Sequence, residues 1–185
     1  MSAIATILDT AHAVGPRCGA VSVIAIDGPA GSGKTTLALR AVDAVPVQLV
    51  HMDDLYPGWD GLRAAGETVE QMLENLARGD TFVYRRYDWF SHQFEEEHRV
   101  RPRGMLVIEG VGSVRRAYVD YLSVIVYVRE TDEQLRLQRA VARDGPEVLE
   151  HMKKWRPQED ALHMEVGLAE LADVVIDGQG RVVSA

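Results

Sequence analysis

One short segment constrains the fold more than any other, a glycine-rich loop between an apolar run and a helical run. The segment reads Gly28-Pro29-Ala30-Gly31-Ser32-Gly33-Lys34-Thr35 and fits the pattern G-x-x-x-x-G-K-[ST] at every required position. The β-branched residues 21–27 (VSVIAID) predict a buried parallel strand before it. Residues 34–44 predict a helix after it, so the segment has the local context of a phosphate-binding loop, or P-loop.

The chemistry of such a loop explains its residue types. Glycines let successive backbone N–H groups point into one concavity, and the following helix adds the positive end of its dipole. Lys34 can reach the β- and γ-phosphates, and the hydroxyl of Thr35 can bind Mg²⁺. We therefore expect the triphosphate of ATP or GTP to bind here with Mg²⁺ through Gly28, Ala30, Gly31, Ser32, Gly33, Lys34, Thr35 and Thr36.

The rest of the chain alternates between strand and helix patterns, which is typical of a parallel sheet covered on both faces. Further strands are expected at 45–52, 105–109, 123–129 and 173–176, and further helices at about 67–77, 111–119, 132–143, 147–155 and 158–171. Residues 81–87 are expected to be extended, and 90–103 to form a loop or an excursion. The prediction is one three-layer α/β/α domain over 1–185, with a P-loop NTPase fold, a mainly parallel sheet and a short amphipathic helix at about 2–14.

Charge and composition favour some partners and exclude others. The formal net charge of -8 argues against a nucleic-acid-binding surface. No apolar stretch reaches 18 residues, and Asp9 interrupts the first apolar run, so neither a membrane span nor a secretory signal is expected. The single cysteine, Cys18, suits a reducing cytoplasm. The expected partners are ATP or GTP and a small-molecule acceptor, and assembly into a homo-oligomer is left open.

Three further segments resemble the uridine kinase family of P-loop kinases, whose relatives include pantothenate kinase and phosphoribulokinase. They are Met52-Asp53-Asp54-Leu55-Tyr56, Tyr87-Asp88-Trp89-Phe90-Ser91-His92, and the apolar strand that ends in Glu109-Gly110. With the P-loop, the resemblance runs from about residue 21 to residue 177.

The resemblance implies that Asp53 is the catalytic aspartate beside the acceptor hydroxyl. The physical interpretation agrees, because a carboxylate at the carboxyl end of a parallel strand lies in the crevice where such sheets bind ligands. There Asp53 can orient an alcohol and accept its proton. Glu109 can hold Mg²⁺ or its waters together with Thr35 and Asp53, or it can be a strand-end residue that faces solvent. Asp54 stands where the family is usually small and polar, and is either near the metal or solvated.

The second segment implies that Tyr87 and His92 bind the acceptor. The family has an arginine soon after this histidine, whereas Gln93 and Phe94 follow here, which weakens the case for a pyrimidine. Trp89 and Phe90 belong either to this site or to the core. Asp60 aligns loosely with an aspartate that binds the sugar hydroxyls of the acceptor in the family. Ordinary packing is expected for Trp155, and the alternative is that it borders the adenine of the nucleotide.

A helix rich in arginine resembles the lid that closes over the phosphates in such kinases. Arg136, Arg139 and Arg143 lie on the helix expected at 132–143, and Arg139 and Arg143 are four apart and share a face. A planar guanidinium can grip phosphate oxygens, so Arg139 and Arg143 join Lys34 and Asp53 as predicted catalytic residues. The lid, at about 136–150, is short, and the alternative is a charged outer helix face.

These features together predict the transfer of the γ-phosphoryl group from Mg·ATP to the hydroxyl of a small molecule. The acceptor could be a nucleoside such as uridine or cytidine, or else a vitamin precursor, a sugar or a nucleotide monophosphate. The alternative from another class is a nucleotide-binding regulatory ATPase without a small-molecule acceptor. No N-K-x-D motif for reading guanine occurs in the chain.

Overall fold

The computed structural model describes residues 2–185. The strands are β1 (Val21–Asp27), β2 (Val47–His51), β3 (Phe82–Asp88), β4 (Gln93–Val100), β5 (Gly104–Glu109), β6 (Val124–Arg129), β7 (Val174–Asp177) and β8 (Val182–Ser184). The helices are α1 (Ala3–Val14), α2 (Lys34–Ala44), α3 (Leu62–Ala77), α4 (Glu133–Asp144), α5 (Val148–Val166) and α6 (Leu168–Leu171). Short 3₁₀ turns cover Met52–Asp54 and Val119–Tyr121.

The main sheet has six strands in the order β2-β5-β1-β6-β7-β8. Every pairing in it is parallel except the last, in which β8 runs antiparallel to β7 at the edge. In the register, His51 of β2 lies opposite Glu109 of β5, and Glu109 lies opposite Ile26 of β1. The carboxyl ends of these three strands therefore meet at one edge, immediately beside the loop that follows β1.

Helices cover both faces of this sheet, which confirms the predicted three-layer α/β/α fold with a mainly parallel sheet. Alternate residues of β1 point to opposite faces, as the strand period requires. Ile24 and Ile26 pack with α1 and α2, whereas Val23 and Ala25 pack with α3 and α5. The predicted N-terminal helix is confirmed at Ala3–Val14. Among residues 2–185, no helix combines the length and apolar character that crossing a membrane requires.

The predicted bounds of two helices, α3 and α5, were wrong. α3 begins at Leu62 rather than near 67, because Leu62 and Ala65 extend its buried face. Gly66 is tolerated inside the helix because Arg115 lies against it, 3.2 Å from where a Cβ would stand. Pro157 does not break α5, since Met152, Trp155 and other residues on both sides of it are buried along the helix. Pro157 itself is exposed, where water can reach the carbonyl group that its missing N–H leaves free.

Three further segments differ from expectation. Residues 93–100 are not a loop but β4, which pairs antiparallel with β3 in a hairpin outside the main sheet. Its run of exposed charged side chains hid the strand pattern, although the expected excursion from the main layer is present. Residues 111–119 form turns rather than a helix, because their backbone N–H groups bind a buried side chain described below. The edge strand β8 was not predicted.

Candidate active site

The glycine-rich loop leaves β1 at Asp27 and enters α2 at Lys34. Gly28 and Gly31 have φ values of 143° and 76°, which favour glycine. A Cβ at either position would also collide with a backbone oxygen, that of Val128 for Gly28 and that of Arg136 for Gly31. Gly33 caps α2 without a side-chain hydrogen bond, so the first N–H groups of the helix remain free for an anion.

Asp27 clamps the start of the loop and was not recognised from sequence. Its side chain is buried, and its Oδ1 accepts hydrogen bonds from the N–H groups of Gly28 at 2.7 Å and Gly112 at 3.0 Å. Its Oδ2 accepts the N–H of Val114 at 2.9 Å, and His163 Nε2 of α5 lies 3.1 Å from Oδ1. The only signal in the sequence was a carboxylate between an apolar strand and the first glycine of the loop.

A second buried carboxylate, Glu159 of α5, holds the middle of the loop. Its Oε2 accepts the N–H of Ala30 at 2.8 Å, and its Oε1 lies 3.2 Å from Arg136 Nη1. Glu159 is fully buried and the side chain of Arg136 is 13% exposed. The N–H of Ala30 therefore faces Glu159, and Arg136 lies in an ion pair rather than beside the phosphate-binding concavity.

The loop and the carboxyl edge of the sheet enclose a cavity of about 270 Å³, here called the phosphate cavity. Most of the predicted nucleotide, metal and lid residues line it, namely Ala30, Gly31, Gly33, Lys34, Thr35, Thr36, Asp53, Glu109, Arg139 and Arg143. Lys34 Nζ donates to the carbonyl of Pro29 at 2.9 Å, and Arg139 Nη1 donates to the carbonyl of Gly31 at 3.1 Å. Gly28 and Ser32 shape the loop from behind, since both are buried and neither lines this cavity.

Three polar side chains meet at Glu109, and two of them, Thr35 and Glu109 itself, line the phosphate cavity. Thr35 Oγ1 donates to Glu109 Oε1 at 3.1 Å, and His51 Nδ1 lies 2.6 Å from the same oxygen. The hydrogen bond with Glu109 raises the pKa of His51, although burial acts against it. Asp53 follows in the turn after β2 and faces the same cavity.

The side chain of Asp53 is exposed to water in the open cavity, but many protein atoms lie close around it. This burial raises the pKa of the Asp53 carboxyl, and the nearby charge of Glu109 adds to the effect. Arg143 and Lys34 oppose it. Burial also raises the pKa of the neighbouring Asp54 carboxyl, while His51 counteracts the shift. Asp53 is therefore a better proton acceptor than an ordinary surface aspartate.

These residues fit a magnesium ion bound together with a nucleotide. Among residues 2–185, no group of three His, Cys, Asp or Glu side chains is arranged to hold a metal by itself. Mg²⁺ usually needs only one or two protein carboxylates, because phosphate oxygens and water complete its octahedral shell. The oxygens of Thr35 and Glu109, 3.1 Å apart, supply such a partial set beside the phosphate loop, and Asp53 lines the same cavity.

A larger cavity of about 540 Å³, here called the aromatic cavity, adjoins the phosphate cavity. The two share Ala30, Thr35, Asp53, Glu109, Ala140 and Arg143. All three tryptophans of the chain, Trp59, Trp89 and Trp155, line the aromatic cavity. The rings of Trp59 and Trp89 meet edge to face at 5.1 Å, and Trp89 Nε1 donates to the carbonyl of Asp53 at 3.0 Å.

The residues predicted to bind the acceptor lie elsewhere. Tyr87 is buried behind Trp89, with ring centroids 5.3 Å apart, and does not line the aromatic cavity. His92 is exposed at the turn of the hairpin, with φ of 58°, and its Nδ1 lies 3.5 Å from the Tyr87 hydroxyl. Asp60 lines a separate cavity of about 350 Å³ together with Arg63 and Arg115. Tyr87 and His92 thus support the wall that Trp89 provides, whereas Asp60 lies outside this region.

Another cavity, of about 250 Å³, adjoins the phosphate cavity on the opposite side. The two share Gly33, Thr36 and Arg139, and residues 177–180, at the end of β7 and just after it, also line this cavity. Arg139 Nη2 donates to the carbonyl of Gly178 at 3.2 Å and so connects this loop to the P-loop. A nucleotide whose phosphates lie on the P-loop could extend its base and sugar into this space.

No protein-family model matches the chain, and no curated protein matches it. Among solved structures, a protein of Bacillus stearothermophilus described as a possible uridine kinase has a TM-score of 0.63 and 21% sequence identity, covering 94% of this chain and 96% of that one. A candidate fructose transport system kinase of Silicibacter sp. TM1040 has a TM-score of 0.53 and 19% identity, with 92% of each chain covered. The chain has the fold of the P-loop kinases.

Proposed function

We propose that this chain transfers the γ-phosphoryl group of a nucleoside triphosphate, with ATP as the expected donor, to a hydroxyl group of a small molecule. The observation that carries the proposal is the junction of the two cavities. Asp53, Glu109 and Arg143 line both, with the P-loop on one side and the tryptophans on the other. A phosphoryl group held by the loop would therefore face a molecule in the aromatic cavity.

The residues at this junction suit the chemistry of the transfer. The acceptor oxygen forms a bond to the γ-phosphorus, the bond to the β–γ bridging oxygen breaks, and the diphosphate leaves. The hydroxyl proton passes to the carboxylate of Asp53, whose raised pKa favours its acceptance. Lys34, Arg139, Arg143 and the free loop N–H groups stabilise negative charge on the phosphates. The buried ion pair of Arg136 with Glu159 leaves the lid function to Arg139 and Arg143.

Thr35 and Glu109, with Asp53 beside them, would hold Mg²⁺. When bound, the ion would neutralise charge on the β- and γ-phosphates. We also propose a cytoplasmic location, because the single cysteine, Cys18, is a free and buried thiol.

The cavities beside the P-loop fit a kinase better than a regulatory ATPase without an acceptor. An ATPase needs water beside the γ-phosphate, whereas here a cavity with indole walls opens at that point. The two similar solved structures are described as a possible uridine kinase and a candidate fructose transport system kinase, so a nucleoside and a sugar are the first acceptors to test.

The test is ADP release from Mg·ATP with and without a panel of alcohols that includes nucleosides, sugars and amino alcohols. We expect at least one compound to stimulate ADP release and to form its phosphate ester in equal amount. The Lys34→Ala variant should show no stimulated release. Slow ADP release that no alcohol changes would favour the regulatory ATPase instead.

A further inference from the structure

The aromatic cavity is lined by more carboxylates than the proposed phosphoryl transfer needs. Four carboxylates line it, those of Asp53, Asp54, Glu109 and Asp144. Glu109 is bound by Thr35 and His51. Both oxygens of Asp144 are bound by Arg143 at 2.7 Å. Asp53 lines the phosphate cavity as well and faces Arg143 and Lys34 across it.

Asp54 differs from these three. It lines the aromatic cavity but not the phosphate cavity, and it is half-buried. Its carboxylate has no hydrogen-bond or ion-pair partner among residues 2–185. The nearest cationic side chains pair with other carboxylates, His51 with Glu109 and both Arg86 and His98 with Glu96. A ligand without positive charge would cover this carboxylate and leave it unpaired, which is costly.

The walls around Asp54 are indole rings. The cavity is lined by Trp59, Trp89 and Trp155. The ring centroids of Trp59 and Trp155 are 5.9 Å apart. Tyr56 packs against Trp155 at 4.9 Å. The faces of aromatic rings attract cations, tryptophan most strongly, and a cluster of them can surround an ammonium group after it loses water.

We propose that the acceptor is a positively charged alcohol. Its ammonium or quaternary ammonium group lies among the tryptophans against Asp54, and its hydroxyl group lies at Asp53. This inference rests on the proposed phosphotransferase function and gives its substrate class. Because Asp53 and Asp54 are consecutive in the chain, with Cα atoms about 3.8 Å apart, a short molecule can contact both.

Binding can be measured without turnover by selectively excited tryptophan fluorescence, because every tryptophan of the chain lines this cavity. The probes are choline and its uncharged isostere 3,3-dimethylbutan-1-ol, in a buffer free of amino alcohols. We expect a saturable fluorescence change with choline at concentrations about tenfold or more below those that the isostere needs. Equal affinities, or no saturable response to choline, would overturn the proposal.

Substitutions in the aromatic cavity test where the cationic group of choline binds. Asp54→Asn should weaken choline binding about tenfold and leave the isostere unaffected, since only the charge pairing is lost. The matched control is Asp43→Asn, an exposed aspartate near the end of α2 that lines neither cavity. If the Asp54→Asn variant does not fold, the variants Trp59→Phe and Trp59→Leu are measured in its place. Trp59→Phe should keep the affinity for choline because it keeps an aromatic ring, and Trp59→Leu should lose it. Choline binding that none of these variants changes would contradict the assignment.

The ADP-release assay separates this inference from the proposed function. If a cationic alcohol is phosphorylated and Asp54→Asn raises its KM with little change in kcat, both stand. If a neutral nucleoside or sugar is phosphorylated equally well by wild type and Asp54→Asn, the kinase function stands and the cationic acceptor is excluded. If choline binds selectively but no alcohol in the panel stimulates ADP release, the cation site stands and the kinase function fails.

Discussion

At the residue scale, two aspartates of the same chain segment have different surroundings. Asp53 lines the junction of the two cavities, whereas Asp60 lines a separate one. Asp53→Asn should lower kcat about 100-fold or more, because the acceptor proton loses its base. It should change the KM for Mg·ATP much less, because Thr35 and Glu109 remain to hold the metal. Steady-state kinetics measure both constants. Asp60→Asn is the matched control and should remain close to wild type, so an equally mild effect of the two changes would contradict the role of Asp53.

The lone cysteine leads to a prediction on reactivity. Cys18 is fully buried, its Sγ donates to the carbonyl of Leu73 at 3.1 Å, and burial raises the pKa of the thiol to about 11. The folded protein should therefore hold the thiol protonated through pH 8 and react slowly with a thiol-specific disulfide reagent, and the rate should rise with pH. The measurement is the absorbance of the released thiolate. The urea-unfolded chain should release one equivalent at once, and an equally fast reaction of the folded chain would show that Cys18 is accessible.

The same scale shows what the sequence could predict of the site. The P-loop, Asp53 and Glu109 were found because each follows an apolar strand, and parallel strands bring their carboxyl ends together. Of the tryptophans of the aromatic cavity, Trp89 was a candidate through the resembling segment, whereas Trp59 and Trp155 carry no such signal. Trp59 comes from a loop, Trp89 from the hairpin and Trp155 from α5, and only their tertiary arrangement brings the rings together.

At the element scale, α5 connects the two halves of the site. Its buried face contains Met152 and Trp155 at the aromatic cavity and Glu159 at the P-loop. His163 reaches Asp27 from the same helix. The sequence indicated two helices here, because proline in a helix interior removes a hydrogen bond and clashes with the preceding turn. The loss is outweighed by the contacts on both sides of Pro157, which no local pattern reveals.

The ion pair between α4 and α5 can be tested by stability. Glu159→Gln leaves the buried Arg136 without its counter-charge, and we expect the free energy of unfolding to fall by about 3 kcal/mol. Arg136→Met should destabilise similarly. In the double variant no charge remains unpaired, so its loss should be smaller than the sum of the two single losses. Urea unfolding measures all four proteins. Additive losses would show that the two side chains do not act as a pair.

At the scale of the whole molecule, the order of the strands determines where ligands can bind. β1 lies between β5 and β6, so the loop after β1 faces the ends of β2 and β5 on one side and the loop after β7 on the other. The phosphate cavity therefore has a neighbouring cavity on each side. The parallel sheet behind this arrangement was predictable, because strand and helix patterns alternate along the sequence. The antiparallel edge strand and the hairpin were not, since their exposed residues carry no core pattern.

A ligand that bridges these parts should stabilise the whole fold. A non-hydrolysable ATP analogue with Mg²⁺ at about 100 times its dissociation constant should add about 2.7 kcal/mol to the free energy of unfolding. Thr35→Val removes a hydroxyl that binds Glu109 and lines the phosphate cavity, so it should abolish the part of the gain that depends on Mg²⁺. The gain from the analogue in EDTA should remain, because the loop N–H groups and Lys34 are unchanged. Thermal unfolding with and without EDTA measures both parts, and Thr81→Val, at an exposed threonine that lines neither nucleotide-side cavity, is the control. If Thr35→Val kept the full Mg²⁺-dependent gain, the metal would lie away from Thr35, and the assignment of Glu109 as its second ligand would fall with it.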